Sequence, residues 1–436
     1  MAADMLLDIK ERLDKKNIHE VRQIARAIGV SSPTFGKKER IIDDILSIAS
    51  CETEPAARTT RGAPPKSSDY DEILVGDIKE CIKHHNLLKE GTQDANDSYE
   101  VSDGTTNEIC GGILVKAEKL FYLRVNGCLP GPDDVYVHES FINRFHLREG
   151  DFVKGECRRK SPDKFAGLTK ILSVNGYSPD SVLRRDFAKL TPVYPNKRIQ
   201  VAKSGKDIAA RMIDMFAPVG YGQRAVISAS ANSGKLTLLK QIIGGTSLNE
   251  NLAIVVFVVA GSLEEITDIE RTACGAEVFY TTFDMEPEQH LKAADFVMTY
   301  CKNAVELGEN VMLVVDGLSK LGSAAKRLLS SAICAEEGGS LAVIGTVSAI
   351  GEYSSEFSAE LLSAANMRVE LLDSEVYPTI DISKSYTQNC ELLQEEQEIK
   401  TAYMLRKRYK TTENIDDIID LFKSSENNTG IIKSNG

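Results

Sequence analysis

The chain has 436 residues, and its 52 Lys and Arg against 64 Asp and Glu give a formal net charge of −12. This length allows about two to four domains, each with its own core. The acidity excludes a protein that coats itself with nucleic acid along its whole length. Any basic surface must therefore be local.

The nine cysteines are scattered singly, without a C-x-x-C pair. This pattern predicts reduced thiols, no structural metal and a cytoplasmic location. The longest apolar run, LAIVVFVVA at residues 252–260, is about half a membrane span and predicts a buried strand. We expect no membrane segment.

The first fifty residues carry two helical patterns on either side of a basic turn. They predict a helix-extended-helix module over residues 1–50, which suits dimerisation or docking because Lys37, Lys38 and Arg40 form only one short basic cluster. Residues 51–108 have no apolar period and predict a linker followed by a mobile polar region.

Residues 109–177 alternate β-like segments with turns and contain more Lys and Arg than Asp and Glu. Five such segments predict a small closed barrel of the oligonucleotide-binding (OB) or cold-shock type. In KLFYLR, alternation places Leu120, Tyr122 and Arg124 on one face and Phe121 on the other. We predict that Tyr122 stacks on bases beside Arg124, while Phe121 lies in the core.

After a connector at residues 178–200, residues 201–425 alternate strand and helix patterns, and residues 426–436 form a predicted tail. This alternation predicts a doubly wound, mostly parallel α/β domain that binds its ligand at the carboxyl ends of the strands. The predicted strands are RAVISA, LAIVVFVVA, EVFYTTF, NVMLVVDG, SLAVIGTV and MRVELL.

The stretch ASANSGKL, residues 229–236, follows a strand and begins a helix, as a phosphate-binding loop (P-loop) does. Lys235 would reach the terminal phosphates, and Asp316 at the end of VMLVVDG would hold Mg²⁺ through water. A P-loop requires Ser or Thr after its lysine, but Leu236 offers no oxygen to the metal. ATP with Mg²⁺ is therefore expected to bind weakly. The predicted nucleotide-binding residues are Asn232, Ser233, Gly234, Lys235, Leu236 and Asp316.

Several separated strings resemble the bacterial transcription termination factor Rho family, in the same order along the chain. They are GPDDVYV, INRFHLREGD, LTPVYPNKR, DIAARMIDMFAPVGYGQR, TTFD, EEGGSLAVIGT and VYPTIDI. The resemblance implies an N-terminal helical module, an RNA-binding barrel and a RecA-like P-loop ATPase domain. It also implies a ring-shaped hexamer that threads RNA by ATP hydrolysis to terminate transcription.

For the barrel, the resemblance adds Lys164 and Phe165 to the RNA surface beside Tyr122 and Arg124. Leu120 stands where the family has a stacking aromatic. Base binding should therefore be weaker than in the family at large.

For the motor domain, the resemblance places Tyr377 against adenine but shows substitutions at catalytic positions. Gly261 stands at the general-base position, Glu375 at an arginine position and Gln388 at the arginine-finger position. Glu264 and Glu265 are possible substitute bases. Residues 349–367, where the family places a pore lysine, contain no Lys or Arg.

Three hypotheses follow. In the first, the chain binds single-stranded RNA and acts in or on termination with impaired or lost ATP hydrolysis. It does so as a homo-hexamer or in mixed rings with an active relative, with RNA polymerase as a further partner. In the second, it is an active ATP-dependent RNA translocase. In the third, it is a non-catalytic protein-interaction module.

Overall fold

The computed structural model describes residues 2–30, 37–50, 71, 73–79, 82, 108–159, 165–179, 184–230, 233–273, 275–348, 355–373, 378–412 and 414–435. It divides into two compact units, Met1–Arg184 and Arg185–Gly436. Each unit is described by itself.

The first unit begins with helices α1 (Ala2–Asp14), α2 (Ile18–Ile28), α3 (Lys38–Ala49) and α4 (73–79). A capping box starts α2, since Asn17 accepts from the amide of Glu20 and the Glu20 carboxylate accepts from the amide of Asn17. The four helices share one apolar core.

Two of these helices differ from the sequence-based expectation. The first fifty residues hold three helices rather than two, and α4 lies inside the segment predicted to be a linker. Leu74, Val75 and Ile78 of α4 are buried in the shared core. The short apolar period of α4 was missed because polar sequence surrounds it.

The barrel follows as five strands: β1 (Glu108–Ala117), β2 (Leu120–Arg124), β3 (Val135–Val137), β4 (Phe152–Arg158) and β5 (Ala166–Val174). The strands close in the order β1-β2-β3-β5-β4, with helix α5 (Glu139–Phe145) between β3 and β4. Inward residues such as Leu114, Leu123 and Val153 are fully buried. The predicted OB-type barrel is confirmed.

The second unit is built on a parallel sheet in the order β11-β10-β12-β14-β9-β15. Its strands are β9 (Arg224–Ala229), β10 (Leu252–Gly261), β11 (Glu277–Thr282), β12 (Asn310–Asp316), β14 (Ser340–Ser348) and β15 (Met367–Leu372). They coincide with the six predicted strands. Short strands complete the unit: β6 (Pro192–Val193), β7 (Arg198–Ile199), β8 (Val219–Gly220), β13 (Ile333–Ala335), β16 (Thr379–Ile380) and β17 (Tyr386–Thr387).

Helices cover both faces of this sheet. The helices are α6 (Ile208–Phe216), α7 (Lys235–Gly245), α8 (Leu263–Thr272), α9 (Pro287–Glu306), α10 (Ser323–Ser330), α11 (Ser355–Ala364), α12 (Glu396–Thr412), α13 (Asp416–Ser424) and α14 (Asn428–Asn435). Apolar residues of α6, α7 and α8 pack on alternate residues of β10, while α9 contacts the sheet as well. The doubly wound α/β architecture is confirmed.

The C-terminus departs from the predicted tail. Residues 426–436 contain helix α14, whose Ile431 is buried in the core of the second unit. None of the helices in the described ranges is both long and apolar enough to span a membrane.

Candidate RNA surface and nucleotide site

Three aromatic rings meet on the outside of the barrel. The ring of Tyr122 on β2 lies 6.0 Å from Tyr136 on β3 and 5.5 Å from Phe165 before β5, edge to face in both cases. Phe165 is 50% exposed, and Tyr122 and Tyr136 are half-buried. Such rings can stack on unpaired bases.

Strand register extends this aromatic cluster into a row. Tyr122 is paired with Tyr136, Tyr136 with Gly167 on β5, and Gly167 with Arg158 on β4. Among the described residues, and apart from its chain neighbours, no atom lies within 4 Å of where a Cβ of Gly167 would stand. The row therefore runs from two aromatic rings across an open position to a guanidinium.

Arg124 does not share this surface, which corrects the prediction from alternation. Its side chain is 8% exposed and forms an ion pair with Asp134, whose carboxylate also accepts from the amide of Gly131. The guanidinium lies within the barrel wall, where its ion pair with Asp134 stabilises the turn before β3.

The other predicted RNA residues have mixed positions. Leu120 is 46% exposed at the start of β2, as an outward residue should be. Lys164 lies outside the described residues. In the N-terminal module, Arg40 donates to the carbonyl of Asn175 and Lys38 to that of Asp14, whereas Lys37 is exposed.

The phosphate loop joins β9 to α7. Gly234 precedes α7 with φ of 74°, a left-handed conformation that glycine adopts readily. Ser233 is buried and its hydroxyl donates to the carbonyl of Ser230, which fixes the loop before the helix begins. Asn232 lies outside the described residues.

Lys235 points along the sheet edge to the end of β12. Its Nζ lies 2.7 Å from Oδ1 of Asp316, and that oxygen also accepts from the hydroxyl of Thr346 at 2.7 Å. Lys235 is 31% exposed and Asp316 is 8% exposed. The lysine and the carboxylate are thus brought together at the carboxyl ends of the strands.

The metal ligands that this kind of site requires are incomplete. Leu236 is partly buried against the core, and Thr237 is exposed on the next position of α7. Within the ranges that the structure describes, no group of three His, Cys, Asp or Glu could hold a metal ion. Asp316, paired with Lys235, is a carboxylate at this place, and Mg²⁺ commonly binds through one or two carboxylates together with substrate phosphates.

Gly261, which the family resemblance aligns with a general base, ends β10 in a closely packed place. A Cβ on this residue would lie 2.6 Å from Cγ1 of Val258 and 3.4 Å from Cγ1 of Ile266. The backbone position is therefore shaped for glycine and does not accept a carboxylate side chain without rearrangement.

The two glutamates suggested as substitute bases, Glu264 and Glu265, both lie in the first turn of α8. Glu265 closes a capping box at the start of α8, where its side chain accepts from the amide of Ser262 at 3.2 Å. Glu264 is exposed in the first turn of the same helix. This cap occupies Glu265, which corrects its suggested use as a base.

Of the other positions to which the resemblance assigns a role, the structure describes only Gln388. Gln388 is exposed after β17, and its backbone N–H donates to the carbonyl of Asn366. Glu375 and Tyr377 lie outside the described residues. An acidic neighbour of the loop, Asp373, accepts from the hydroxyl of Ser230.

Two basic residues of α10 are paired with acidic ones. Lys326 on α10 pairs with Glu360 on α11, and Arg327 pairs with Asp295 on α9 at 2.9 Å. These charges are partly neutralised within the unit.

Sequence reasoning missed two residues of these sites. Tyr136 was hidden in GPDDVYV, although period-two alternation between buried Val135 and Val137 already places it outward. Lys320 was missed because its amine reaches carbonyls that are distant in sequence, Val259 at 3.2 Å and Ala260 at 3.1 Å.

Family models match both units. The model described as Rho termination factor, RNA-binding domain, matches residues 110–180. The model described as ATP synthase alpha/beta family, nucleotide-binding domain, matches residues 209–334. The chain therefore contains an RNA-binding barrel and a nucleotide-binding P-loop ATPase fold.

Curated relatives extend the similarity over most of the chain. Transcription termination factor Rho of Karelsulcia muelleri is 32% identical over 70% of this chain and 90% of the relative. The Bacillus subtilis factor is 32% identical over 67% of this chain and 76% of its own length. For the Mycobacterium bovis factor, at 31% identity, the match spans 59% of the relative.

Solved structures are similar at lower identity. A prototypical ATPase from a type III secretion system matches at 19% identity and a TM-score of 0.47, over 57% of this chain and 88% of that one. The assembled ATPase EscN of enteropathogenic E. coli matches at 20% identity and a TM-score of 0.45, over 58% and 66%. From its identity and coverage with the curated relatives, the chain belongs to the transcription termination factor Rho family.

Proposed function

We propose that this protein binds single-stranded RNA and acts in or on transcription termination without hydrolysing ATP. It works by occupying RNA, as a hexamer of identical subunits or within rings that also contain an active relative, and RNA polymerase is its expected context. The aromatic cluster of Tyr122, Tyr136 and Phe165 supports RNA binding.

The observation that carries the loss of hydrolysis is the packing at Gly261. Glycine supplies no base, and a Cβ at this position would approach Cγ1 of Val258 to 2.6 Å, so a side chain here would require Val258 to move. A general base contributes typically about 10² to 10⁴ in rate. An arginine finger, replaced here by Gln388, contributes about 10³ to 10⁵. Losing both leaves little turnover, even with nucleotide bound.

An active translocase is the second candidate, and one observation favours it. Lys235, Asp316 and Thr346 remain connected at the sheet edge as a working nucleotide site would need. Turnover in this candidate would require a base from outside the position of Gly261.

A reconstituted termination assay with an active relative tests the proposal. Added wild-type protein should change the amount of terminated RNA, and Lys235→Ala should act equally well because no hydrolysis is involved. Tyr122→Ala should lose the effect with its RNA affinity. An effect that vanishes in Lys235→Ala and persists in Tyr122→Ala would contradict the proposal.

A further inference from the structure

Lys320 holds a second ammonium group at the edge of the sheet. It lies in the short turn Leu318–Leu321 after β12, and its Nζ donates to the carbonyls of Val259 and Ala260 at the end of β10. An ammonium has three N–H donors, so one remains after these two bonds. Within the part of the chain that the structure describes, Lys320 has no carboxylate partner.

The sheet order places this amine beside the phosphate loop. β12 lies between β10 and β14, and β14 is the neighbour of β9, from which the loop departs. Lys235 reaches the end of β12 from the loop, while Lys320 reaches across from β12 to β10. Lys235 thus contacts Asp316 at the end of β12, and Lys320 lies on the side of β12 that faces β10.

The positive charge of Lys320 affects the pKa of His290. His290 is buried, with Nδ1 2.8 Å from the hydroxyl of Thr281, which also accepts from the amide of Ala260. Burial first, and then the positive charge of Lys320, lower the pKa of His290. The imidazole is thereby kept neutral, and Lys320 remains the cation at this end of β10.

Two fixed cations and one carboxylate suit a phosphate chain better than they suit a metal ion. Leu236 supplies a divalent cation with no oxygen, and the carboxylate of Asp316 is already paired with Lys235. We propose that a nucleoside triphosphate binds here without divalent metal, with its phosphates neutralised by Lys235 and Lys320. This inference rests on the nucleotide-binding fold of the second unit and goes beyond the proposed function by naming how that fold holds its ligand.

Binding requires one rearrangement within the site. The phosphates compete with Asp316 for Lys235, and Asp316 keeps its hydrogen bond from Thr346 when the lysine leaves. Lys320 needs no such release, because carbonyls rather than a carboxylate hold it. Its contribution should therefore be available to the first phosphate that arrives.

The test is binding of a fluorescent N-methylanthraniloyl ATP to the full-length protein, titrated once with Mg²⁺ and once with EDTA. The two dissociation constants should agree within about twofold, and Lys320→Met should weaken both by about tenfold or more, as expected for a charge-assisted hydrogen bond. Lys326→Met, which removes a neighbouring charge already paired with Glu360, is the matched control and should bind like wild type.

Lys320→Arg, which keeps the charge, should restore most of the binding and so separates charge from folding. Binding that appears only with Mg²⁺, no binding in either condition, or equal affinities of Lys320→Met and Lys326→Met would overturn the inference. RNA binding and ATP turnover measured on the same preparations report on the proposed function separately. If metal-free nucleotide binding is not found, the results for RNA binding and ATP turnover are unchanged.

Discussion

The barrel and the edge of the motor sheet keep different parts of their chemistry. The barrel places Tyr122, Tyr136 and Phe165 together on its outside, where a base can reach them. The sheet edge keeps Lys235 and Asp316 in contact but has Gly261, packed against Val258, at the base position. Under the proposed function the two regions differ because binding spreads over several side chains and catalysis depends on single groups.

The largest expected effect tests whether Arg124 belongs to the barrel wall or to the RNA surface. Arg124→Met leaves the carboxylate of Asp134 buried without its cation, and breaking a buried pair costs about 3 to 5 kcal/mol. The free energy of unfolding of residues 1–184 is measured on the full chain by chemical denaturation, followed by tyrosine fluorescence. The exposed Lys119→Met is the control, and equal stabilities would return Arg124 to the surface.

A second prediction concerns the scaffold of the motor unit. Asp214 is buried and accepts from the amides of Val201 and Ala202. Burial, the largest cause, raises its pKa from 3.8 to about 6, although Arg198 at 3.7 Å opposes the shift. The folded state therefore holds this proton more tightly than the unfolded state. The resulting stability is complete below pH 3.8 and is lost as the pH rises to about 6.

Unfolding free energies of wild type and Asp214→Asn, measured across this pH window, check the sign. Relative to the variant, wild type should lose about 2 to 3 kcal/mol as the pH rises. Glu250→Gln, at an exposed position of the same unit, is the matched control. A difference between wild type and Asp214→Asn that stays flat with pH would contradict the assignment.

The third prediction sharpens the barrel side of the comparison. Tyr122→Ala removes the ring that contacts both other aromatics and should weaken RNA binding by about 1 to 3 kcal/mol. Fluorescence anisotropy with a labelled cytidine-rich RNA measures the loss. Tyr403→Ala, an exposed tyrosine on α12, should leave affinity unchanged. If both variants bind alike, RNA does not use the aromatic cluster.

The smallest expected effect tests the packing at Gly261. Gly261→Ala forces a methyl group against Val258 and should destabilise the second unit by about 1 kcal/mol or more. Gly244→Ala on α7, where nothing lies within 4 Å of the new Cβ, is the control and should be neutral or stabilising. Thermal unfolding of the two variants decides the point, and equal melting temperatures would show that position 261 has room for a side chain.

Much of this architecture could be predicted from local sequence patterns. Apolar runs predicted all six parallel strands of the sheet in the second unit, and the Gly-Lys turn predicted where β9 connects to α7. Contacts across the fold could not be predicted in this way. The pairing of Arg124 with Asp134, the reach of Lys320 to β10 and the burial of α4 all depend on neighbours that alternation and spacing do not reveal.

RNA-stimulated ATP hydrolysis, measured on the wild type beside Lys235→Ala with Mg²⁺ and a cytidine-rich RNA, tests the central claim most directly. The account predicts no turnover in either protein while both still bind the RNA. Turnover in the wild type that disappears in Lys235→Ala would contradict it, because a working motor would then tolerate Leu236 and Gly261.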